Sequence, residues 1–313
     1  MDEKQKHKSR IGGQALIEGV MMKGIYTSAM ACRLPDGTID VETWEEKNGK
    51  NAPWYRKTPF IRGIFNFVSS LTDGYRCLMK SADKQMTEDS DEELSKLDKW
   101  INEHFGEKIM SIVSVISVIF SLVICIFLFK FLPMWISGFL KKFISSTIIL
   151  TIIEGIIKIG IFVGYLAVTA LMKDIKRTYE YHGAEHKTIA CYEAGEELTV
   201  ENVKKYTRFH PRCGTSFIFI SLFISIFVFC FITWSNMWAR MALQIVLLPV
   251  IIGISYELIR IAGRYDNIFT KIISAPGLRL QRLTTREPDG SEIEVAIAAI
   301  KPCIPENREE DQW

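Results

Sequence analysis

The chain has little net charge: 38 Lys and Arg against 36 Asp and Glu leave a formal +2 over 313 residues. By itself that balance argues neither way on nucleic acid, and no nucleic-acid partner is expected. No internal repeat, P-loop, dinucleotide fingerprint or nucleophile elbow occurs, which removes phosphate-loop, dinucleotide and α/β-hydrolase chemistry from consideration. Charge is also missing locally. Ser111 to Phe129 has none over 19 residues, and Gly214 to Ala239 none over 26. A helix rising about 1.5 Å per residue crosses roughly 30 Å of hydrocarbon in about 20 residues, so both runs are predicted to be transmembrane helices.

Two further spans are expected. Met241 to Tyr256 is extended to spanning length by Glu257 to Ile261, and Phe143 to Met172 is interrupted only by Glu154 and Lys158. The predicted fold is therefore mainly α, an integral membrane protein with four transmembrane helices, a small N-terminal β-hairpin and cytoplasmic helices. Lys and Arg are dense before Ile109, in Lys173 to Arg212 and after Arg260, but sparse in Lys130 to Lys142 and around Arg240. The positive-inside rule then puts both termini and the middle loop in the cytoplasm of a multi-pass cell-membrane protein. That compartment is reducing, so the seven cysteines are read as thiols or metal ligands, with Cys125 and Cys230 packing in membrane helices. "KQKHKSR" before an apolar patch and "AMAC" resemble a lipoprotein signal. Gln14 and Glu18 interrupt the patch, however, and no cleavage is expected.

These boundaries divide the chain into an N-terminal region with hairpin and amphipathic helix (1–83), an acidic linker (84–108), a first transmembrane pair (109–172), a metal-binding loop (173–213), a second pair (214–261) and a cytoplasmic tail (262–313). "IGGQALIEGVMMKG", Ile11 to Gly24, is read as a short helix with Gln14 and Glu18 on one face. "SAMACRLPDGTIDVETWE" is read as a β-hairpin about Pro35-Asp36-Gly37. Apolar residues at helical spacing from Phe60 to Met79 predict an amphipathic helix on the membrane surface or the bundle. "TEDSDEELSKLD", Thr87 to Asp98, is a solvated linker or mobile helix, and Phe131 to Lys142 and Ser235 to Ala239 are outer turns. In the tail, Asp289 or Ser291 caps a short helix ended by Pro302.

The second span is expected to continue past Lys173 as a helix to Gly195. On it His182 and His186 stand one turn apart, a spacing that lets two imidazoles reach one ion, and Glu185 beside them is placed to take a proton from water. Thr199 caps a short helix that brings the chain back, so that His210 and Cys213 of "HPRCG" reach the mouth of the next span. His182, His186, His210 and Cys213 are the expected ligands of a zinc-type ion, with Glu185 the catalytic candidate. If all four ligate, the site is closed and structural; if Cys213 is free, a water takes the fourth place. The lone histidines His7 and His104 are read as ordinary hydrogen-bonded side chains. Glu154 and Lys158, four apart, either neutralise one another or line a polar pathway, and Glu257 faces the histidines or sits at headgroup level.

"GGQALIEGVMMKG", "YHGAEHKTIACYEAGEELT", "HPRCGTSF" and "LRLQRLTTREPD" resemble the YqhQ-like family of bacterial membrane proteins, uncharacterised and described as predicted metal-dependent enzymes. The resemblance runs over nearly the whole chain. It implies a metal-dependent enzyme of unnamed substrate, with the family motif falling on His182, Glu185, His186, His210 and Cys213.

Three functions compete. The first is a membrane-embedded metal-dependent hydrolase acting on a peptide or lipid-like substrate in the bilayer. The second is a zinc-stapled, non-enzymatic scaffold that recruits a cytoplasmic protein. The third is a carrier or insertion device built on Glu154, Lys158 and Glu257, for which four spans would have to be supplemented by oligomerisation.

Overall fold

The computed structural model describes residues 7–46, 52–85, 112, 116–232 and 236–313. Most of the acidic linker, including Thr87 to Asp98, lies outside them, as does His104.

The N-terminal region is a four-stranded antiparallel sheet in the order β1 (Gly12–Leu16), β2 (Gly19–Lys23), β3 (Thr27–Arg33), β4 (Ile39–Glu45). Its second half is the expected hairpin. Gly37 takes φ +88°, and Asp36 Oδ1 accepts from the Thr38 amide at 2.9 Å to close the turn. The first half corrects the short helix expected at Ile11 to Gly24. β2 is buried on both faces, so its apolar residues run without the polar alternation that marks a half-exposed strand. The turn joining β1 to β2 holds Glu18 at φ +49°, a conformation that costs a side-chain-bearing residue energy.

One face of the sheet, with Val20, Met22, Ala29 and Ala31, forms the main core against two helices, α4 (Lys173–Ala194) and α10 (Gly290–Ile300). The other face, with Leu16, Met21, Met30 and Cys32, packs on Cys77 and Leu78 of α1 (Ile61–Gln85). That helix is the expected amphipathic one, two turns longer at its C-terminal end. Phe65, Val68, Leu71, Tyr75 and Met79 remain exposed along it at helical spacing.

Of the four spans expected, two helices are long and apolar enough to cross a membrane: α2 (Ile116–Leu140) and α3 (Thr147–Thr169). Most of the turn expected at Phe131 to Lys142 is instead part of α2, which runs to Leu140; only Lys141 and Lys142 lie in the turn that follows. A π-helical turn at Phe127–Phe131 widens the helix just before Pro133, which lets the chain carry a residue without an amide hydrogen and continue to Leu140. The run at Gly214 yields a shorter apolar helix, α6 (Gly214–Phe229), and residues 233–235 of the following turn lie outside the description. The fourth run is broken at Leu247 into α7 (Met237–Val246) and α8 (Leu248–Arg264), inclined at 42°; counted as one bent span, the pair makes three. Among the described residues, little of the most apolar stretch of α2 is covered, which suits a lipid environment.

The second span does not run on into α4. The chain breaks at Ala170–Met172, and α4 starts afresh at Lys173. It stops, as expected, at Gly195 in the left-handed conformation, φ +77°. Thr199 caps α5 (Val200–Lys204), its side chain accepting from Asn202 N. Asp289 and Glu292 form a capping box on α10. The tail also contains a helix not expected from sequence, α9 (Ile268–Thr284), which packs on α6 and α8.

Candidate metal centre

Residues from four parts of the chain meet where α4 crosses the start of α6. His182 and His186 project from α4, and Cys213 is the N-cap residue of α6. One ligand atom from each of the three lies within 4.8 Å of the other two. Both rings are oriented from outside the cluster. Nδ1 of His182 donates to the Thr284 carbonyl at 2.8 Å, and Nδ1 of His186 donates to the Arg208 carbonyl at 2.6 Å. That pairing leaves the two Nε2 atoms for the centre, the arrangement in which a backbone carbonyl fixes the tautomer of a ligating imidazole. His182 Nε2 is 3.2 Å from Cys213 Sγ. Burial opposes charge on both groups, yet their mutual attraction outweighs it: His182 is pushed up to about 9 and Cys213 is held well below the usual thiol range.

Glu185 lies on the inner side of the same helix, 4% exposed, with Oε2 at 4.0 Å from His182 Nε2. Its Oε2 has no hydrogen-bond partner among the described residues. Burial raises its pKa, against the pull of His186 and His182. The sheet closes over it: a Cβ on Gly13 would fall 3.0 Å from the Glu185 side chain and 2.6 Å from the Met21 carbonyl, so β1 can approach only with glycine there.

His210 is brought beside the cluster but is not one of the three. Its ring centroid is 5.5 Å from that of His186, while its Nε2 lies 3.1 Å from an Arg212 nitrogen and 3.9 Å from a Glu193 carboxylate oxygen. Burial, with Arg212 and His186, lowers its pKa to about 4 although Glu193 pulls the other way. Glu193, bonded to Arg212 and to the Ser9 amide, is itself held down at about 2 by His210 and Arg212 against the effect of burial.

Several residues of this centre are not marked as such by spacing or residue type in the sequence. The Gln281 side chain accepts from His210 N at 2.8 Å and donates to His210 O at 2.7 Å, clamping the turn that presents Cys213. Glu287 pairs with Lys187 at 2.7 Å and with Arg208 at 3.0 Å, tying α4 to the strap whose carbonyl orients His186. Glu18 joins Arg177 and accepts from Tyr181 Oη at 3.1 Å, fixing the β1–β2 turn to α4. Their partners are far away in the chain, which is why spacing rules do not find them.

The polar groups expected in the membrane separate. Lys158 donates to Glu154 at 2.7 Å, as the spacing predicts, and Arg240 from α7 joins Glu154 at 3.0 Å. Glu257 does not face the histidines; its carboxylate binds Arg62 and accepts from Phe60 N at 3.1 Å, joining α8 to α1. His7 is 2.6 Å from Asp311.

Comparison with known proteins places the chain. The profile of the family described as "Protein of unknown function (DUF1385)" matches residues 58–306. The chain is 32% identical over 303 residues to "Uncharacterized protein YqhQ" of Bacillus subtilis (strain 168), covering 96% of this chain and 94% of that protein. No solved structure matches.

Proposed function

The chain belongs to the DUF1385 family, and from that footing we propose that it is a membrane-embedded, metal-dependent hydrolase whose site lies at the cytoplasmic face. One observation carries the reading: His182, His186 and Cys213 converge while His210 turns to Glu193 and Arg212. Three protein donors leave a fourth position open, the pattern of catalytic rather than structural zinc sites. Two imidazoles and a thiolate suit zinc among the divalent metals. The orphaned carboxylate oxygen of Glu185 beside them fits a site that expects another occupant.

His182, His186 and Cys213 would hold the ion, which when bound supplies Lewis acidity at that point. Glu185, its carboxylate kept from bulk water by β1, accepts a proton from the attacking water and returns it to the leaving group. The Thr284 and Arg208 carbonyls keep both rings in register. The Lys and Arg distribution supports placing this face and both termini inside, and the substrate of this reading is then a peptide or lipid-like molecule reached from the inner leaflet.

Metal analysis of the purified protein tests the site. About one zinc-type ion per chain is expected, lost in His186→Ala and Cys213→Ala but kept in His210→Ala and in Glu185→Gln. Absence of stoichiometric metal from the wild type overturns the reading. Loss of metal in His210→Ala as complete as in His186→Ala would mean four protein ligands and a closed site, favouring a zinc-stapled scaffold that recruits a cytoplasmic partner.

A further inference from the structure

A second group of charges lies in the apolar helices, remote in sequence from the histidine cluster. Lys130 of α2, Glu154 and Lys158 of α3 and Arg240 of α7 act on one another. The Phe229 ring at the end of α6 has its centroid 5.7 Å from Lys130 Nζ and 5.8 Å from Lys158 Nζ, so both ammonium groups lie against one aromatic ring. Gln244 of α7 accepts from Lys130, and Thr151 accepts from Arg240 at 3.2 Å. Glu154 and Lys158 are 3% and 8% exposed.

The charges do not balance. Among the described residues three cations face one carboxylate, which is already shared between Lys158 and Arg240. Arg240 Nε is buried with no hydrogen-bond partner among the described residues. Glu154 and Lys158 alone would be a neutral pair that lets α3 insert; the addition of Lys130 and Arg240 leaves two positive charges in a region bordered by hydrocarbon, where unpaired charge is unfavourable. An open apolar cavity of about 660 Å³ lies on the same turns of α2 as Lys130, lined by Phe127, Phe131, Leu132, Trp135 and Phe139 among others. A ligand that satisfies both features has a negatively charged head and an apolar chain.

We propose that this group is a binding site for one anionic phospholipid, its phosphate between Lys130 and Arg240 and an acyl chain in the neighbouring cavity. Charge complementarity selects the headgroup, and the adjoining aromatic cavity selects a lipid over free phosphate. Glu154 sets the strength of the site by neutralising part of the positive charge.

Native mass spectrometry of the full chain in detergent, loaded from vesicles of phosphatidylglycerol and phosphatidylcholine in equal amounts, tests this. One retained phosphatidylglycerol per chain is expected, in at least tenfold excess over phosphatidylcholine. Lys130→Gln and Arg240→Gln should each cut that preference severalfold, and Arg240→Lys should restore most of it. Because Arg240→Gln also strips a partner from Glu154, Lys130→Gln, which leaves the Glu154 pairs intact, serves as the second variant, with thermal midpoints confirming that both fold. Equal retention of the two lipids, or a preference unchanged in the folded Lys130→Gln protein, overturns the proposal. Displacement of the bound lipid by millimolar inorganic phosphate also overturns it, in favour of a free-anion site.

Discussion

Gln281 is the side chain on which the approach of Cys213 depends, because its amide satisfies both backbone groups of His210 in a fully buried place. Gln281→Ala strands a buried N–H and C=O and should cost about 2–3 kcal/mol, with weaker retention of metal; a thermal midpoint close to wild type would remove this role. His210 itself predicts a pH dependence. Its folded pKa, about 4, lies below the ordinary histidine value, so the unfolded chain takes up the proton first. Stability is then full at neutral pH and falls as pH drops from about 6.5 towards about 4, by as much as about 3 kcal/mol. Unfolding midpoints of wild type and His210→Asn, compared at pH 7 and pH 4.5, should diverge; parallel curves would assign the acid loss to another group. At this scale the site was half legible. His182, His186, Glu185 and Cys213 stand out because chemistry-bearing residues recur at a helical turn and within one short loop. Glu193, Arg212, Gln281 and Thr284 do not, since a polar residue in a polar stretch looks solvated until its distant partner is known.

At the scale of elements, close approach of backbones sets the geometry. A Cβ on Gly183 would fall 2.0 Å from the Arg286 carbonyl, in the segment that leads from α9 to α10. Gly183→Ala should therefore push that segment off α4, costing about 3 kcal/mol and disturbing the Thr284 contact to His182; an unchanged midpoint would show that the segment yields freely. The β1–β2 turn gives a second test. Glu18→Ala keeps the left-handed backbone and loses the bonds to Arg177 and Tyr181, whereas Glu18→Gly loses the same bonds without the conformational cost. The glycine variant should be the more stable of the two by about 1 kcal/mol, read from paired unfolding curves. The β3–β4 hairpin, the stop at Gly195 and the caps at Thr199 and Asp289 were readable because each rests on local chemistry. β1 and β2 were not, since a doubly buried strand and a buried helix share the same apolar run. Pro133 misled in another way: it sits in a helix widened by a π-turn, where proline normally marks an end, and Pro276 likewise lies inside α9.

The molecule as a whole divides into a sheet-and-helix body and a set of apolar helices, and the division was legible from hydropathy and charge. The number of crossings was not, because length along the sequence does not reveal the break at Leu247 or the early end of α6 at Phe229. The orientation proposed above predicts that a reporter active only in the cytoplasm will work when fused after Trp313, and that one active only outside will work when inserted at Lys141–Lys142. The reverse pattern would place the histidine cluster on the outer face and remove the cytoplasmic reading. α1 belongs to this scale too: its uncovered row of Phe65, Val68, Leu71, Tyr75 and Met79 is suited to lying against lipid, which would hold the sheet close to the bilayer.

The cluster draws on Gly13 near the start of the chain and on Glu185 past its middle, but is finished by Gln281 and Thr284, which follow every apolar helix described above. During translation the ribosome therefore emits all of those helices before the last supports of the cluster emerge. A polypeptide stalled or cleaved short of α9 has every apolar helix and still lacks the side chains that complete the cluster, so the proposed centre would assemble only after those helices had been made.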